Sequence, residues 1–163
     1  MHTIKTMYQQ YAPALYRFTL GLCGDTYLAK DLVAETFMRA MTSSTPIDMT
    51  TVLGYLCTIA RRLYLKEWHR RQRHTELSDV HFDAGPGPEE LAMNAEAWRR
   101  TLTALLALPE IDRAALLMRA EDGIPYEDIA LALNLSLSAA KVKVFRARLK
   151  LAQLLQEETH ASA

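Results

Sequence analysis

A helix, a tight turn and a second helix with a basic flank are predicted near the C-terminus, and this pattern limits the fold more than any other feature of the chain. Pro125 suits the start of the first helix, where its missing N–H costs nothing. Asn134 is a turn residue, and Ser136 or Ser138 can cap the helix that follows. Several basic side chains share that second helix: Lys141, Lys143, Arg146, Arg148 and Lys150. A helix-turn-helix places such a helix in the major groove of DNA; the alternative is a helical hairpin with a solvated basic face.

Apolar residues at helical spacing predict further helices along the rest of the chain, and no strand pattern is present. The predicted helices are 8–22, 26–41, 51–73 and 89–108, with a loop at 42–48. On the third of them, apolar residues repeat every three or four positions: Val52, Leu56, Ile59 and Leu63. Basic residues follow the same spacing on another face: Arg62, Lys66, His69 and Arg73. The sequence therefore predicts an all-α fold.

The composition is that of a folded chain whose charge is unevenly distributed. Half of the 163 residues are hydrophobic, and the formal net charge is zero. Residues 61–73 nonetheless carry six Lys and Arg against one acidic residue, whereas residues 76–96 are acidic. Two basic segments separated by an acidic one suggest two contact surfaces for a polyanion. Gly85-Pro86-Gly87-Pro88 cannot continue a helix, so we expect two small helical domains joined by a flexible linker.

Several other classes of protein are not supported by the sequence. No apolar run approaches the roughly 20 residues of a membrane span, and the N-terminus lacks a signal core, so no membrane insertion is expected. Cys23 and Cys57 lie within apolar helical patterns, which predicts buried thiols in a reducing compartment. The acidic pair Glu127-Asp128 begins a predicted helix, where it favours the helix dipole. With no zinc-binding spacing, phosphate loop or nucleophile elbow, we expect no metal, no cofactor and no enzymatic activity.

Three segments resemble the extracytoplasmic-function (ECF) sigma factors, the short group of the sigma-70 family. Residues 32–40, Leu-Val-Ala-Glu-Thr-Phe-Met-Arg-Ala, are similar to a helix of their region 2. Residues 54–63, Gly-Tyr-Leu-Cys-Thr-Ile-Ala-Arg-Arg-Leu, are similar to their promoter-melting helix. Residues 105–151 resemble their region 4, from the Leu-Pro pair through Tyr-Glu-Asp-Ile-Ala to Arg-Ala-Arg. The three segments occur in the family's order over nearly the whole chain.

The resemblance implies a cytoplasmic sigma factor that directs core RNA polymerase to specific promoters and initiates transcription. It implies region 2 at residues 1–74, a linker at 75–90, and region 4 with the helix-turn-helix at 91–163. The implied partners are core RNA polymerase (through its beta-prime clamp helices and beta flap), promoter DNA and an anti-sigma factor. A sigma-like decoy that sequesters an anti-sigma factor is one alternative, and a simple helix-turn-helix repressor is another.

The resemblance also implies roles for individual residues. Region 2 of the family docks on polymerase, and Asp31, Glu35 and Arg39 share the helix face expected to make that contact; a solvated charged face is the alternative. Region 4 reads the −35 element of duplex DNA. The residues assigned to that contact are Ser136, Ser138, Ala139, Lys141, Val142, Lys143, Phe145 and Arg146.

The −10 element is assigned to region 2. Its loop is expected to accept a flipped base, while the basic helix after it holds the opened strand through phosphates. The residues assigned are Thr45, Asp48, Tyr55, Arg61, Arg62, Lys66, His69, Arg70 and Arg73. Tyr55 and Trp68 can stack on bases or pack in the core, and the arginines can form a merely solubilising face.

Three positions depart from the residues usual in the family. Ala34 replaces a Gln near the polymerase contact, and Arg62 replaces an Asn near the melting surface. Ser138-Ala139-Ala140 replaces Gly-Thr-Val, which removes a hydroxyl that could donate to a phosphate. These departures concern base preference and polymerase affinity rather than the fold.

The last predicted helix has two apolar faces. One faces the expected core and consists of Ala140, Val144, Ala147, Leu151 and Leu154. Val142, Phe145 and Leu149 fall on roughly the opposite side, which predicts an exposed apolar patch that the anti-sigma factor covers. Alternatively, Phe145 packs on thymine methyl groups or against its own helix.

Overall fold

A computed structural model describes residues 4–43, 49–74, 95–121 and 123–161, with side chains through Glu157. Within these ranges the chain forms helices and no strand, which confirms the all-α prediction. The predicted linker at 75–90 and the first six residues of the helix predicted at 89–108 lie outside the described residues. The helices are α1 (Ile4–Cys23), α2 (Thr26–Thr42), α3 (Val52–Gln72), α4 (Ala95–Leu106), α5 (Glu110–Ala120), α6 (Tyr126–Leu133) and α7 (Leu137–Ala161).

Side-chain and backbone caps fix where the helices begin and end. The Asp25 carboxylate accepts hydrogen bonds from two backbone N–H groups at the start of α2, and the Thr51 hydroxyl accepts one at the start of α3. Asn134 ends α6 in the left-handed conformation, with φ of 55°. Ser136 Oγ then accepts from the Ala139 N–H at 3.1 Å, so Ser136 caps α7 as predicted. The turn of the helix-turn-helix thus follows from the local sequence.

The N-terminal half (α1–α3) is a three-helix bundle with its own buried residues. Leu15 and Leu32 contribute from α1 and α2, and Leu56 contributes from α3. The stripe predicted for α3 is wrong at its first position, because Val52 is 39% exposed and Leu53 is buried in its place. Leu53 lies one turn before Leu56, whereas Val52 lies at the solvent-facing start of the helix.

The C-terminal half (α4–α7) packs α7 against α4, α5 and α6. The predicted core stripe of α7 is confirmed, since Ala140, Val144 and Ala147 are at most 1% exposed. The predicted opposite face is also confirmed, since Phe145 is 61% exposed. Both results follow from helical periodicity alone.

The two halves pack against each other. Helix α1 contacts α4 and α5, and α3 contacts α5 and α6. Phe18 and Leu56 of the first half share a single buried cluster with Met118 and Ile129 of the second half. The sequence patterns predicted two domains but did not predict this shared core.

Candidate nucleic-acid interface

One exposed row of basic side chains runs along α3, which begins at its Thr51 cap and ends with three basic residues in its last turn. We call it the α3 basic face, and it consists of the four residues that the sequence placed on one stripe: Arg62, Lys66, His69 and Arg73, all exposed. Trp68 lies next to it and is 46% exposed, so core packing does not explain this residue. Its ring meets the edge of the His69 ring at a centroid distance of 5.2 Å. A basic row with an accessible indole is suited to a single strand, whose phosphates and bases are both accessible.

A concave site of about 430 Å³ lies where α2 ends and α3 begins. Its lining includes the half-buried Tyr55 and the exposed Arg62, with Thr42 and Ser43 from the end of α2. This is the side of the N-terminal half at which the sequence placed a base-accepting loop. Thr45 and Asp48, the two loop residues assigned to that role, lie outside the described residues.

Two of the arginines assigned to the −10 element already bind acidic side chains. The Arg61 guanidinium donates two hydrogen bonds to the Glu110 carboxylate of α5, and both side chains are about four-fifths buried. Arg70 donates to Glu67, and these hydrogen bonds hold the pKa of Glu67 below its usual value. Arg61 therefore points away from the α3 basic face and towards the C-terminal half.

The second basic surface lies at the start of α7. We call it the α7 face, and its exposed members are Ser136, Ser138, Lys141, Val142, Phe145 and Arg146. Ala139 is half-buried beside them. Lys143 is also half-buried, and its Nζ lies 3.0 Å from Oδ1 of Asp112. All the residues assigned to the −35 contact thus come together on α7 or its cap, with Lys143 held by an internal ion pair.

A tyrosine of the first helix of the motif holds two cations near this surface. The Arg119 guanidinium lies 4.1 Å from the centroid of the Tyr126 ring, and Lys141 Nζ lies 5.8 Å from it. Both distances are within the range of cation–π attraction. Tyr126 therefore helps to position the charge of Lys141 at the edge of the α7 face.

The proposed polymerase contact is exposed on α2. Asp31, Glu35 and Arg39 lie on one exposed face, and Arg39 Nη2 is 3.3 Å from Glu35 Oε1. A groove of about 480 Å³ runs between this face and α3, with Asp31 and Glu35 on one side and Lys66 on the other.

The most deeply buried acidic side chain among the described residues was not recognised from the sequence as a tertiary contact. Asp128 does lie in the first turn of α6, but it is completely buried. Its carboxylate accepts four hydrogen bonds, from the backbone N–H and the hydroxyl of both Thr50 and Thr51. Burial alone would raise the pKa of Asp128, but the hydrogen bonds from Thr51 and Thr50 together lower it.

A buried arginine was missed as well. The Arg113 guanidinium of α5 donates to the carbonyl oxygens of Leu22, at 2.9 Å, and Leu108, at 2.8 Å. It also donates to the hydroxyl of Tyr64 at 3.4 Å. These partners are distant in sequence, so neither hydrophobic periodicity nor residue spacing predicts the contact.

The remaining predictions concern thiols, metals and membranes. Cys23 and Cys57 are buried free thiols, as predicted, and burial raises the pKa of Cys23 to about 11. Among the described residues, no three His, Cys, Asp or Glu side chains are grouped to hold a metal ion. In the same part of the chain, no helix combines the length and apolar character needed to cross a bilayer.

Known proteins match both halves of the chain. Residues 7–74 match the family model for Sigma-70 region 2, and residues 98–151 match that for Sigma-70, region 4. The chain is 32% identical over 148 residues to the ECF RNA polymerase sigma factor EcfG of Rhodopseudomonas palustris, covering 88% of this chain and 80% of that protein. It is 30% identical over 157 residues to the ECF RNA polymerase sigma factor SigM of Bacillus subtilis, covering 93% and 94%.

A solved structure has the same fold. The sigma factor RpoE of Bartonella quintana, crystallised in complex with the anti-sigma factor NepR, superimposes with a TM-score of 0.77 at 27% identity. The match covers 93% of this chain and 96% of that one. The fold, the two region matches and the full-length relatives agree, and the chain therefore belongs to the ECF RNA polymerase sigma factors of the sigma-70 family.

Proposed function

We propose a division of roles within this sigma factor, which directs core RNA polymerase to specific promoters. The α7 face binds the −35 duplex, the α3 basic face holds the opened strand of the −10 element, and the exposed face of α2 binds polymerase. Region 2 then corresponds to residues 1–74 and region 4 to residues 91–163, and we propose the cytoplasm as the place of action. The observation that carries this proposal is the presence of two separate exposed basic surfaces, one on each half.

The α7 face suits duplex DNA because it lies on the second helix of a helix-turn-helix. Lys141 and Arg146 are exposed cations that can reach phosphates or guanine edges. Val142 and Phe145 are exposed beside them and can contact thymine methyl groups. Ser136 and Ser138 lie at the helix start, where hydroxyl and backbone N–H groups favour a phosphate.

The α3 basic face suits an opened strand. The site of about 430 Å³ beside Tyr55 and Arg62 supports capture of a flipped base, which otherwise costs a few kcal/mol of lost stacking. Lys66, His69 and Arg73 extend from that site along the helix and can follow the phosphates of the strand.

We assign the polymerase contact of region 2 to Asp31, Glu35 and Arg39, and its partner is the pair of beta-prime clamp helices. The partner proposed for region 4 is the beta flap. The Glu35–Arg39 pair is more than half exposed, so it contributes little to stability. Glu35→Lys should therefore leave the fold intact and weaken core binding. Lys30→Glu, on an exposed neighbour, is the matched control, and an unchanged affinity of the Glu35 variant for core polymerase would contradict the assignment.

An anti-sigma factor is the proposed partner of the exposed apolar patch formed by Val142, Phe145 and Leu149, which are 45%, 61% and 52% exposed. The complex of the Bartonella quintana sigma factor with an anti-sigma factor supports a partner of this class. Phe145→Asp should weaken capture by the purified inhibitor without loss of helicity. Capture as tight as that of the parent would exclude this patch from the interface.

Transcription with purified core polymerase and a promoter library tests the function as a whole. Core polymerase plus this chain should initiate at a defined pair of upstream elements, whereas core alone should not. A decoy would bind its inhibitor but support no initiation, and a simple repressor would bind duplex DNA without binding core.

A further inference from the structure

A third concave site, of about 470 Å³, lies beside the C-terminal half of α3, and we call it the Arg113 pocket after the buried arginine that lines it. Its apolar walls come from three helices: Leu28 of α2, Leu65 and Trp68 of α3, and Leu106 of α4. Sites for small organic molecules typically have roughly 300–1,000 Å³ of space, mostly apolar walls and a few polar groups. The Arg113 pocket has the size and the walls of such a site.

Two buried hydrogen-bond donors, Arg113 and Tyr64, also line the pocket and are 5% and 8% exposed. Of the five guanidinium N–H groups, three donate to Leu22, Leu108 and Tyr64, which leaves two without an acceptor among the described residues. The bond to the Tyr64 hydroxyl is long, at 3.4 Å, and that hydroxyl in turn donates to no described residue. Burial raises the pKa of Tyr64, so its hydroxyl keeps its proton at neutral pH. Both side chains therefore have donor groups that the fold leaves unused.

The positive charge of Arg113 is also unpaired, because this guanidinium forms no ion pair with any described residue. The two carboxylates that line the pocket have other partners. Glu110 is bound by Arg61, and Glu67 is bound by two arginines of α3. Arginine is rarely buried unless it is paired. The pocket thus retains one positive charge that a ligand can neutralise.

An aromatic wall lies at a short distance from these donors. Trp68 follows Tyr64 by four residues on α3, so the two side chains lie on one face of the helix, about 6 Å apart. Trp68 is 46% exposed, and its indole offers a flat apolar surface for stacking. A ligand that reaches both residues needs an acceptor group at one end and a flat ring about 6 Å away.

We propose that the Arg113 pocket binds a small aromatic carboxylate, with its carboxylate between Arg113 and Tyr64 and its ring against Trp68. A carboxylate carries two acceptor oxygens and one negative charge, which match the unused donors and the unpaired guanidinium. A neutral ligand would supply acceptors but not the charge. Binding requires neither DNA nor polymerase, so it is measured on the free chain, and its failure leaves the proposed function untouched.

A titration with 2-naphthoate, followed by ¹H–¹⁵N NMR of the full chain, tests the site. The sequence has two tryptophans, and Trp68 is the one that lines the pocket. Its indole N–H signal should shift and saturate with a Kd below about 1 mM, whereas the signal of Trp98 should stay in place. The Trp98→Phe variant assigns the two signals. The uncharged 2-naphthamide has the same ring and should bind at least about tenfold more weakly, because it cannot neutralise Arg113.

A single-atom change tests the polar end of the pocket. Tyr64→Phe removes one donor and keeps the ring, so the Kd for 2-naphthoate should rise about tenfold. Arg113 stays in place, because it also holds the carbonyl oxygens of Leu22 and Leu108. Tyr55→Phe, on the same helix but in the concave site beside Arg62, is the matched control and should keep the parent's Kd. The backbone signals of the same spectra show that each variant is folded.

Three results would overturn the assignment. A Trp68 signal that stays in place throughout the titration would mean that water satisfies the unused donors. Equal affinity for 2-naphthoate and 2-naphthamide would mean that the charge of Arg113 takes no part in binding. An unchanged Kd in the Tyr64 variant, or a loss of affinity in the Tyr55 control, would place the probe in another site.

Discussion

The α3 basic face and the α7 face are both rich in cations, but they differ in the ion pairs that arginines in or beside them form within the chain. Next to the α3 basic face, Arg61 is bound by Glu110 and Arg70 by Glu67. On the α7 face, Arg146 is exposed and forms no ion pair with any described residue. The comparison indicates that Arg146 is available to an external anion, whereas Arg61 must first leave Glu110, just as Lys143 must leave Asp112.

The largest expected effect comes from removing the buried anchor between the halves. Arg113→Met leaves the carbonyl oxygens of Leu22 and Leu108 without their guanidinium donor. Each unsatisfied buried group costs about 1–3 kcal/mol, so the free energy of unfolding should fall by roughly 4 kcal/mol. Denaturant unfolding, followed by circular dichroism, should show one transition for the parent and two for the variant. A variant that retained a single transition at the parent's midpoint would mean that the halves are not coupled through this residue.

The next largest effect should be on duplex binding by the α7 face. Lys141→Ala/Arg146→Ala should lower affinity for a −35 duplex about a hundredfold, because two charge-assisted contacts of about 1.5 kcal/mol each are removed. The slope of log K against log salt should fall by about two. Lys143→Ala should have a smaller effect, since Asp112 already binds that ammonium. Lys150→Ala, on an exposed residue further along α7, is the control. An unchanged salt slope in the double variant would contradict the assignment of the −35 contact to the α7 face.

The smallest effect should be on strand opening by the α3 basic face. Arg62→Ala should leave −35 duplex binding intact and slow promoter opening about tenfold, as expected for one lost charge-assisted contact. Arg61→Ala should slow opening less, because Glu110 already binds that guanidinium. Permanganate reactivity of the −10 thymines measures the rate, with Lys5→Ala as the charge-matched control. Normal opening in the Arg62 variant would mean that this face does not hold the strand.

Local sequence signals predicted the helices well, and long-range contacts account for what they missed. The two faces of α7 and the Ser136 cap follow from periodicity and capping chemistry, both of which act within a few residues. The stripe beginning at Val52 was displaced because the core of α3 begins at Leu53. Periodicity gives a stripe's spacing more reliably than its first position.

The polar contacts between the halves had no local signal at all. In the sequence, the helix dipole alone accounts for an acidic residue such as Asp128 at a helix start. Only the fold brings Thr50 and Thr51 next to it. Arg61 likewise belongs to a basic run in sequence, but its position on α3 turns it towards Glu110 rather than towards the exposed row. The resemblance to a family supplied a role for Arg61 but not its partner in the packed chain.

The shared core of the two halves limits how the sequence can change. A Cβ atom added at Gly21 would lie 2.6 Å from Leu117 Cδ2, and one added at Gly54 would lie 2.6 Å from Asp128 Oδ2. The leucine methyl is the end of a flexible side chain and can move, whereas the Asp128 carboxylate is held by four hydrogen bonds. Random mutagenesis followed by selection for a folded chain should therefore recover substitutions at Gly21 more often than at Gly54.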